Sequence, residues 1–335
     1  MFCDQKELKN LFHRIGGALL MFLALFNVLL SPASLLQQTL VAKFPTSTMV
    51  YVFTDLLCSL AYTVSFAFPA IFFYLISKNK KTQPMPLSLR LNEKQPVLST
   101  LSIVFLGTAV CFACSYVNSI LFPIPESTYD LLMTSDLDRG YKLVLSFIST
   151  AIVPAFVEEL LFRGMVLSNI RPYSESGAIL ISALFFGLMH QTPFQIFYTT
   201  ALGVVLGIIC VKTGSIWSCV LLHFFNNFFS VLQTYLLEIY DIKTGNLIYS
   251  VIMCVIIGLG ILLGAIFYIA SLRKQSQQAI DTLGVYGKAG KSYCDNRLRV
   301  SHSELVKAFV SPTIVIYVAM CMVNIIYYAC ILYMI

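Results

Sequence analysis

Residues 141–167 read YKLVLSFISTAIVPAFVEELLFRGMVL. The run is long enough to cross a hydrocarbon core of about 30 Å as a helix, yet Glu158, Glu159 and Arg163 stand inside it. A charge at mid-bilayer costs roughly 3 kcal/mol or more, so such side chains face a bundle interior or an aqueous cavity and mark function. Glu159 and Arg163 are four apart, on one helix face, with the carboxylate N-terminal to the cation, the favourable order for mutual neutralisation. Glu158 lies about 100° round the helix from its neighbour and has no local cation. It is therefore expected to face a different surface and keep an acid–base role.

The rest of the chain belongs to the same solvent. Its 335 residues are 58% hydrophobic and 11% charged, with a mean hydropathy of +0.81, whereas soluble domains carry about 25% charged residues. This excludes an ordinary soluble domain and implies an all-α polytopic membrane bundle, because helices satisfy their own backbone hydrogen bonds in lipid. The patterning predicts eight to nine transmembrane helices within a single transmembrane domain over residues 1–335. The candidate spans are Arg14–Leu40, Met49–Ser77, Leu98–Phe122, Tyr141–Leu167, Ser176–Gln191, Pro193–Val211, Ser215–Leu237, Leu247–Leu272 and Val310–Ile335. Ser31-Pro32 makes the second half of the first span a kinked or interfacial extension.

Orientation follows from Lys and Arg, which accumulate in short cytoplasmic loops. With the N-terminus cytoplasmic, 18 of them fall on inner segments and four (Lys43, Arg139, Lys142, Lys243) on outer ones. Residues 78–97 and 273–308 then read as cytoplasmic loops, the second with room for a short amphipathic helix. The net charge of +6 is a matter of topology and of attraction to anionic lipid, so the bilayer is the expected partner and nucleic acid is not. Cys111 and Cys114 mimic a CxxC pair but sit in an apolar run, where cysteine is a small packing residue. Asp55, six residues into the second span, reads as interfacial.

Two further polar constellations lie in later spans. Phe186 and His190 share a face of the fifth, with His190 where Gln191-Thr192-Pro193 should end the helix. His223 and Asn227 share a face of the seventh. His13 and His302 lie in polar flanks. Helix arithmetic puts Glu158 and His223 at one depth on the cytoplasmic side, so the site is expected to open toward the cytoplasm. His190 fits that depth poorly unless the fifth span is tilted or its boundary is displaced. Taken singly, each pair also reads as a structural ion pair, a helix cap or helix–helix glue.

Taken together, EExxxR at 158–163, FxxxH at 186–190 and HxxxN at 223–227 resemble the CPBP family, also called Abi, of CAAX-prenyl proteases and bacteriocin-processing enzymes. The resemblance covers the four spans from about 141 to 237, the expected catalytic core. It implies an intramembrane endopeptidase acting on a peptide or membrane-tethered protein. In it Glu158 and His190 activate water, His223 and Asn227 donate to the oxyanion, and Glu159, Arg163 and Phe186 support the site. The need for a base, a proton for the leaving amine and donors toward developing charge agrees with that assignment. Cofactor need is left between none and Zn2+, which Glu158, His190 and His223 would ligate as a His2Glu set. A bacterial plasma membrane is the expected location. A non-proteolytic binding or bacteriocin-immunity scaffold of the same family is the alternative. A proton-coupled transporter using Glu158 and His190 ranks below it, since no internal repeat is visible.

Overall fold

The structure, a computed structural model, describes residues 5–77, 97–121, 139–283 and 301–334. Among these there is no strand. Ten helices follow in order: α1 Gln5–Lys43, α2 Thr48–Ser77, α3 Val97–Leu121, α4 Gly140–Ile170, α5 Glu175–Leu188, α6 Pro193–Thr213, α7 Ile216–Ile239, α8 Ile242–Leu283, α9 His302–Phe309 and α10 Pro312–Met334. Eight are long and apolar enough to cross a membrane, and α5 is a shorter apolar helix. Large apolar side chains such as Phe53, Leu56, Leu60 and Phe68 of α2 are exposed on the bundle surface, as suits a belt covered by lipid. This is an integral membrane protein.

α1 carries a π-helical turn, Phe26–Leu30, just before Ser31-Pro32 and continues to Lys43, the extension read from that pair. One boundary changes in detail. α5 ends at Leu188 rather than Gln191. Its 14 residues reach about 21 Å, short of a full crossing, and His190 lies in the turn beyond its end. Of the connections read as cytoplasmic loops, 78–96 lies outside the described residues. In the other, α8 runs on to Leu283, 284–300 lies outside the described residues, and α9 is the short amphipathic helix.

Contacts between helix ends define two faces. Gln5 Nε2 donates to Glu304 Oε1 of α9 (2.9 Å), Arg14 Nη1 to Ser77 Oγ (3.3 Å), and Arg171 Nη2 to the Val211 carbonyl (3.3 Å). Leu305 of α9 packs against Gly177 near the start of α5. The starts of α1 and α5 and the ends of α2, α4 and α6 thus gather with α9 on one face, where most of the described basic flanks lie. Lys142 of α4 and Glu238 of α7 pair at the other end of the bundle, with the start of α8.

The α5–α6 hairpin is the closest packed pair. A Cβ on Gly203 would lie 2.8 Å from the Cα of Ala183, and one on Gly207 3.0 Å from Ile179, so only glycine lets the two backbones approach this far. α10 braces the hairpin: Tyr317 meets Phe185 edge to face, and Asn324 Nδ2 donates to Gln191 Oε1 (2.5 Å) in the turn after α5.

The substitution Gly203→Ala should push α6 off Ala183 and destabilise the bundle by about 1–3 kcal/mol, read as a lower unfolding temperature of the purified protein in detergent. A separate expectation concerns α9, whose capping box joins Ser301 and Glu304. Hydrogen bonds from Gln5 and from the Ser301 backbone and hydroxyl hold the Glu304 carboxyl below its ordinary value of 4.5. A depressed carboxylate contributes stability above the unfolded value and loses it as pH falls through the folded one. Protection factors of the amides in residues 301–309, which remove the intrinsic pH dependence of exchange, should therefore fall selectively below pH 4.5 and stay level above it.

Candidate active site

The site grows from irregularities in α4. Pro154 has no N–H to offer the carbonyl of Thr150, and the backbone passes through a π-helical stretch, Phe147–Ile152, before a short α-helical piece, Val153–Glu159. A second π-helical stretch, Leu160–Leu167, follows. Such distortions free carbonyls and are frequent at functional sites. Here the freed groups find side chains: Asn227 Nδ2 of α7 donates to the Thr150 carbonyl (3.0 Å), and Ser182 Oγ of α5 to the Phe162 carbonyl (3.0 Å). The paired glutamates end the α-helical piece between the two distortions.

Glu159, Arg163 and His223 form one buried unit. Arg163 Nη1 donates to Glu159 Oε1 (2.8 Å) and Nη2 to the Gly203 carbonyl (3.0 Å), the position where close helix approach brings that oxygen within reach. His223 Nδ1 lies 2.9 Å from the same Glu159 oxygen. Since an ionised carboxylate only accepts, Nδ1 carries the proton and Nε2 is left for chemistry. Phe186 packs among all three partners: its ring lies 4.5 Å beneath the Arg163 guanidinium, with His190 and His223 at its edges (5.3 and 5.6 Å). The FxxxH spacing is thus a positioning device for both imidazoles.

Glu158 points elsewhere, as its angular offset requires. Tyr62 of α2 donates to its Oε1 (2.5 Å), and its Oε2 lies 3.9 Å from His223 Nε2. The expectation that Glu158 stands without a cationic neighbour is corrected at this point: His223 faces both glutamates, and becomes a cation when protonated. His190 sits in the turn beyond α5, its Nδ1 2.9 Å from the Phe186 carbonyl. A carbonyl cannot donate, so again Nδ1 bears hydrogen and Nε2 is free.

Glu158, His190, His223 and Asn227 all line one cavity of about 430 Å³, with Phe186, Tyr62 and a wall of neutral polar groups. Glu159 and Arg163 lie behind it, 0% and 1% exposed. Sequence reasoning missed Tyr62, Tyr198 and Asn226. Tyr198 donates to Asn226 Oδ1, and Asn226 Nδ2 to Asn227 Oδ1 (3.1 Å), which fixes the Asn227 amide. Asn226 and Pro154 were legible signals, being respectively the neighbour of a motif amide and a proline inside a span. Tyr62 gave none.

The cavity does not run toward the α9 face. In that direction Phe162, Met165, Leu206 and Cys219 are fully buried. From the glutamate it rises past Ser149 and Thr150 of α4, Ser115 of α3, Gln233 of α7 and Tyr249 of α8, residues progressively nearer the opposite face.

The zinc set fares no better. Among the described residues no three His, Cys, Asp or Glu side chains converge closely enough to hold a metal ion. Both Nδ1 atoms are engaged in orienting bonds, the arrangement that would support ligation through Nε2, but the three donors do not meet. These residues as placed do not fit a His2Glu centre, and no step below is routed through a metal.

The helical membrane bundle thus gathers a buried carboxylate, two oriented imidazoles and a fixed amide around one polar cavity. Among known families, residues 140–229, the segment that carries the three motifs, match the family model described as type II CAAX prenyl endopeptidase Rce1-like. The match supports an intramembrane CAAX-type endopeptidase in general. Neither the curated proteins nor the solved structures gave a match.

Removing the carboxylate of the buried unit leaves an uncompensated guanidinium. Glu159→Gln should therefore cost about 3–5 kcal/mol, and Arg163→Met added to it should restore part of the loss. Denaturation of the two singles and the double would check this as a double-mutant cycle.

Proposed function

We propose that this protein hydrolyses a peptide bond of a membrane-associated substrate, with Glu158 as the base that activates water. The observation that carries the reading is the division of labour between the two glutamates. Glu159 is taken up by Arg163 and His223, whereas Glu158, one of the residues lining the cavity, keeps one oxygen on Tyr62 and has the other outside any hydrogen bond.

In this mechanism a water beside Glu158 Oε2 is held by His190 and attacks the substrate carbonyl carbon while its proton passes to Glu158. The carbonyl π pair moves to oxygen, giving a tetrahedral oxyanion. His223 in its protonated form donates from Nε2, and Asn227 donates its amide hydrogen not bonded to Thr150. The proton on Glu158 then goes to the amide nitrogen, the C–N bond breaks, and an acid and an amine leave. Preorganised donors of this kind are the largest single contribution in many enzymes, and both are fixed here before substrate arrives. The reaction needs no metal. A bacterial plasma membrane is part of the same proposal.

In a cleavage assay on the purified protein, Glu158→Gln and His190→Ala should each lower kcat/KM by roughly 10²–10⁴-fold, and Asn227→Ala by about 10²–10³-fold. Full activity in Glu158→Gln would reject the mechanism. Activity unchanged after exhaustive chelation would support the glutamate route, and loss restored by zinc alone would overturn it.

A further inference from the structure

A carboxylate that serves as a base must keep one oxygen clear of other protein groups, and Glu158 stands close to a group that would claim it. Its Oε2 lies 3.9 Å from His223 Nε2, about 1 Å beyond the length of a charge-assisted hydrogen bond. The last torsion of a glutamate side chain is broad, so a small rotation would close that gap. The base and the oxyanion donor would then neutralise each other, and neither would be left for a substrate. A bond at the other oxygen opposes this rotation: Oε1 accepts from the Tyr62 hydroxyl (2.5 Å). Tyr62 stands with Glu158 and His223 in the wall of the cavity.

The phenol is itself held. Its ring packs on Phe66 at 4.6 Å and meets the edge of Phe26 of α1 at 6.0 Å, and Phe66 lies 4.5 Å from Phe22 of α1. Phe22 and Phe66 are fully buried, and Phe26 opens the π-helical turn of α1. Rings from two helices thus set the direction of one hydroxyl, and a side chain already confined by packing loses little further rotamer freedom when it makes its hydrogen bond. All four aromatic residues lie outside residues 140–229. The matched segment carries Glu158 and the imidazole that would capture it, while α1 and α2 supply what keeps the two apart.

We propose that Tyr62 is a positioning residue that fixes Glu158 by Oε1 and so keeps Oε2 off His223 and available as the base. This rests on the peptidase reading for the role of Glu158, and adds to it that part of the site comes from α2, ahead of the segment that matches the family. The hydroxyl holds the carboxylate and the ring packs against its neighbours, so Tyr62→Phe separates the two contributions. Without the hydroxyl the carboxylate loses its one bond and is free to close on the imidazole.

The test uses the full chain in lipid nanodiscs, with isotopically labelled histidine ring nitrogens, the His223 signals being assigned by their loss in His223→Asn. In Tyr62→Phe the Nε2 resonance of His223 should move to that of a nitrogen donating to a carboxylate. In Glu158→Gln the further change Tyr62→Phe should leave that resonance where it is, since no carboxylate remains to close the gap. On a lipid-tethered fluorescent reporter peptide, Tyr62→Phe should lower kcat by about 10–100-fold, the loss of one hydrogen bond to a charged group, with KM unchanged. An unmoved resonance in Tyr62→Phe, or a full kcat, would overturn the proposal. A shift that persists when Glu158→Gln is also present would assign the effect to packing and overturn it too, as would a Tyr62→Phe variant too unstable to purify. If the resonances respond as expected while the parent protein cleaves nothing, the positioning role stands and the peptidase reading fails.

Discussion

One guanidinium organises this protein. Arg163 reaches Glu159 on its own helix, the Gly203 carbonyl on α6 and the face of Phe186 on α5, and through Glu159 it fixes His223 on α7. Four helices thus meet on one buried cation. An ion this far from water is tolerable only when its donors are answered, so each of these positions is constrained by the others. Each of the motifs EExxxR, FxxxH and HxxxN contributes to this cluster, through Glu159 and Arg163, Phe186, and His223 respectively.

That constraint frees Glu158. Because Glu159 neutralises the arginine and orients one imidazole, its neighbour takes no part in the structural pair and can face the cavity. Two adjacent carboxylates on a helix point about 100° apart, and the fold uses this to separate a scaffold role from a chemical one. Both imidazoles are set the same way, each with Nδ1 held by an acceptor and Nε2 left available. The tautomers follow from neighbouring oxygens and need no substrate to establish them.

The helices and the motif residues were legible because lipid imposes simple rules on a sequence: long apolar runs span, and polar residues inside them must have partners. The Glu159–Arg163 bond followed from spacing alone. The end of α5 was harder to place, since Met189, His190 and Gln191 continue the apolar-to-polar gradient smoothly, and what stops the helix is the left-handed backbone at Gln191 (φ 55°). Tyr62 was invisible because its role depends on α2 lying beside α4, a tertiary fact with no local trace. The π-helical stretches of α4 were signalled only by Pro154.

The pairing of α1 with α10 has a bearing on how the bundle is made. Thr313 donates to the His13 carbonyl (3.0 Å) across 300 residues of chain, and α10 also carries Asn324, which anchors the turn next to His190. α1 is synthesised long before the helix that covers it, and the bend carrying one imidazole is unbraced until the same late segment arrives. Contacts so remote along the chain form slowly, so the bend that carries His190 gains this brace only once α10 has been made and has docked.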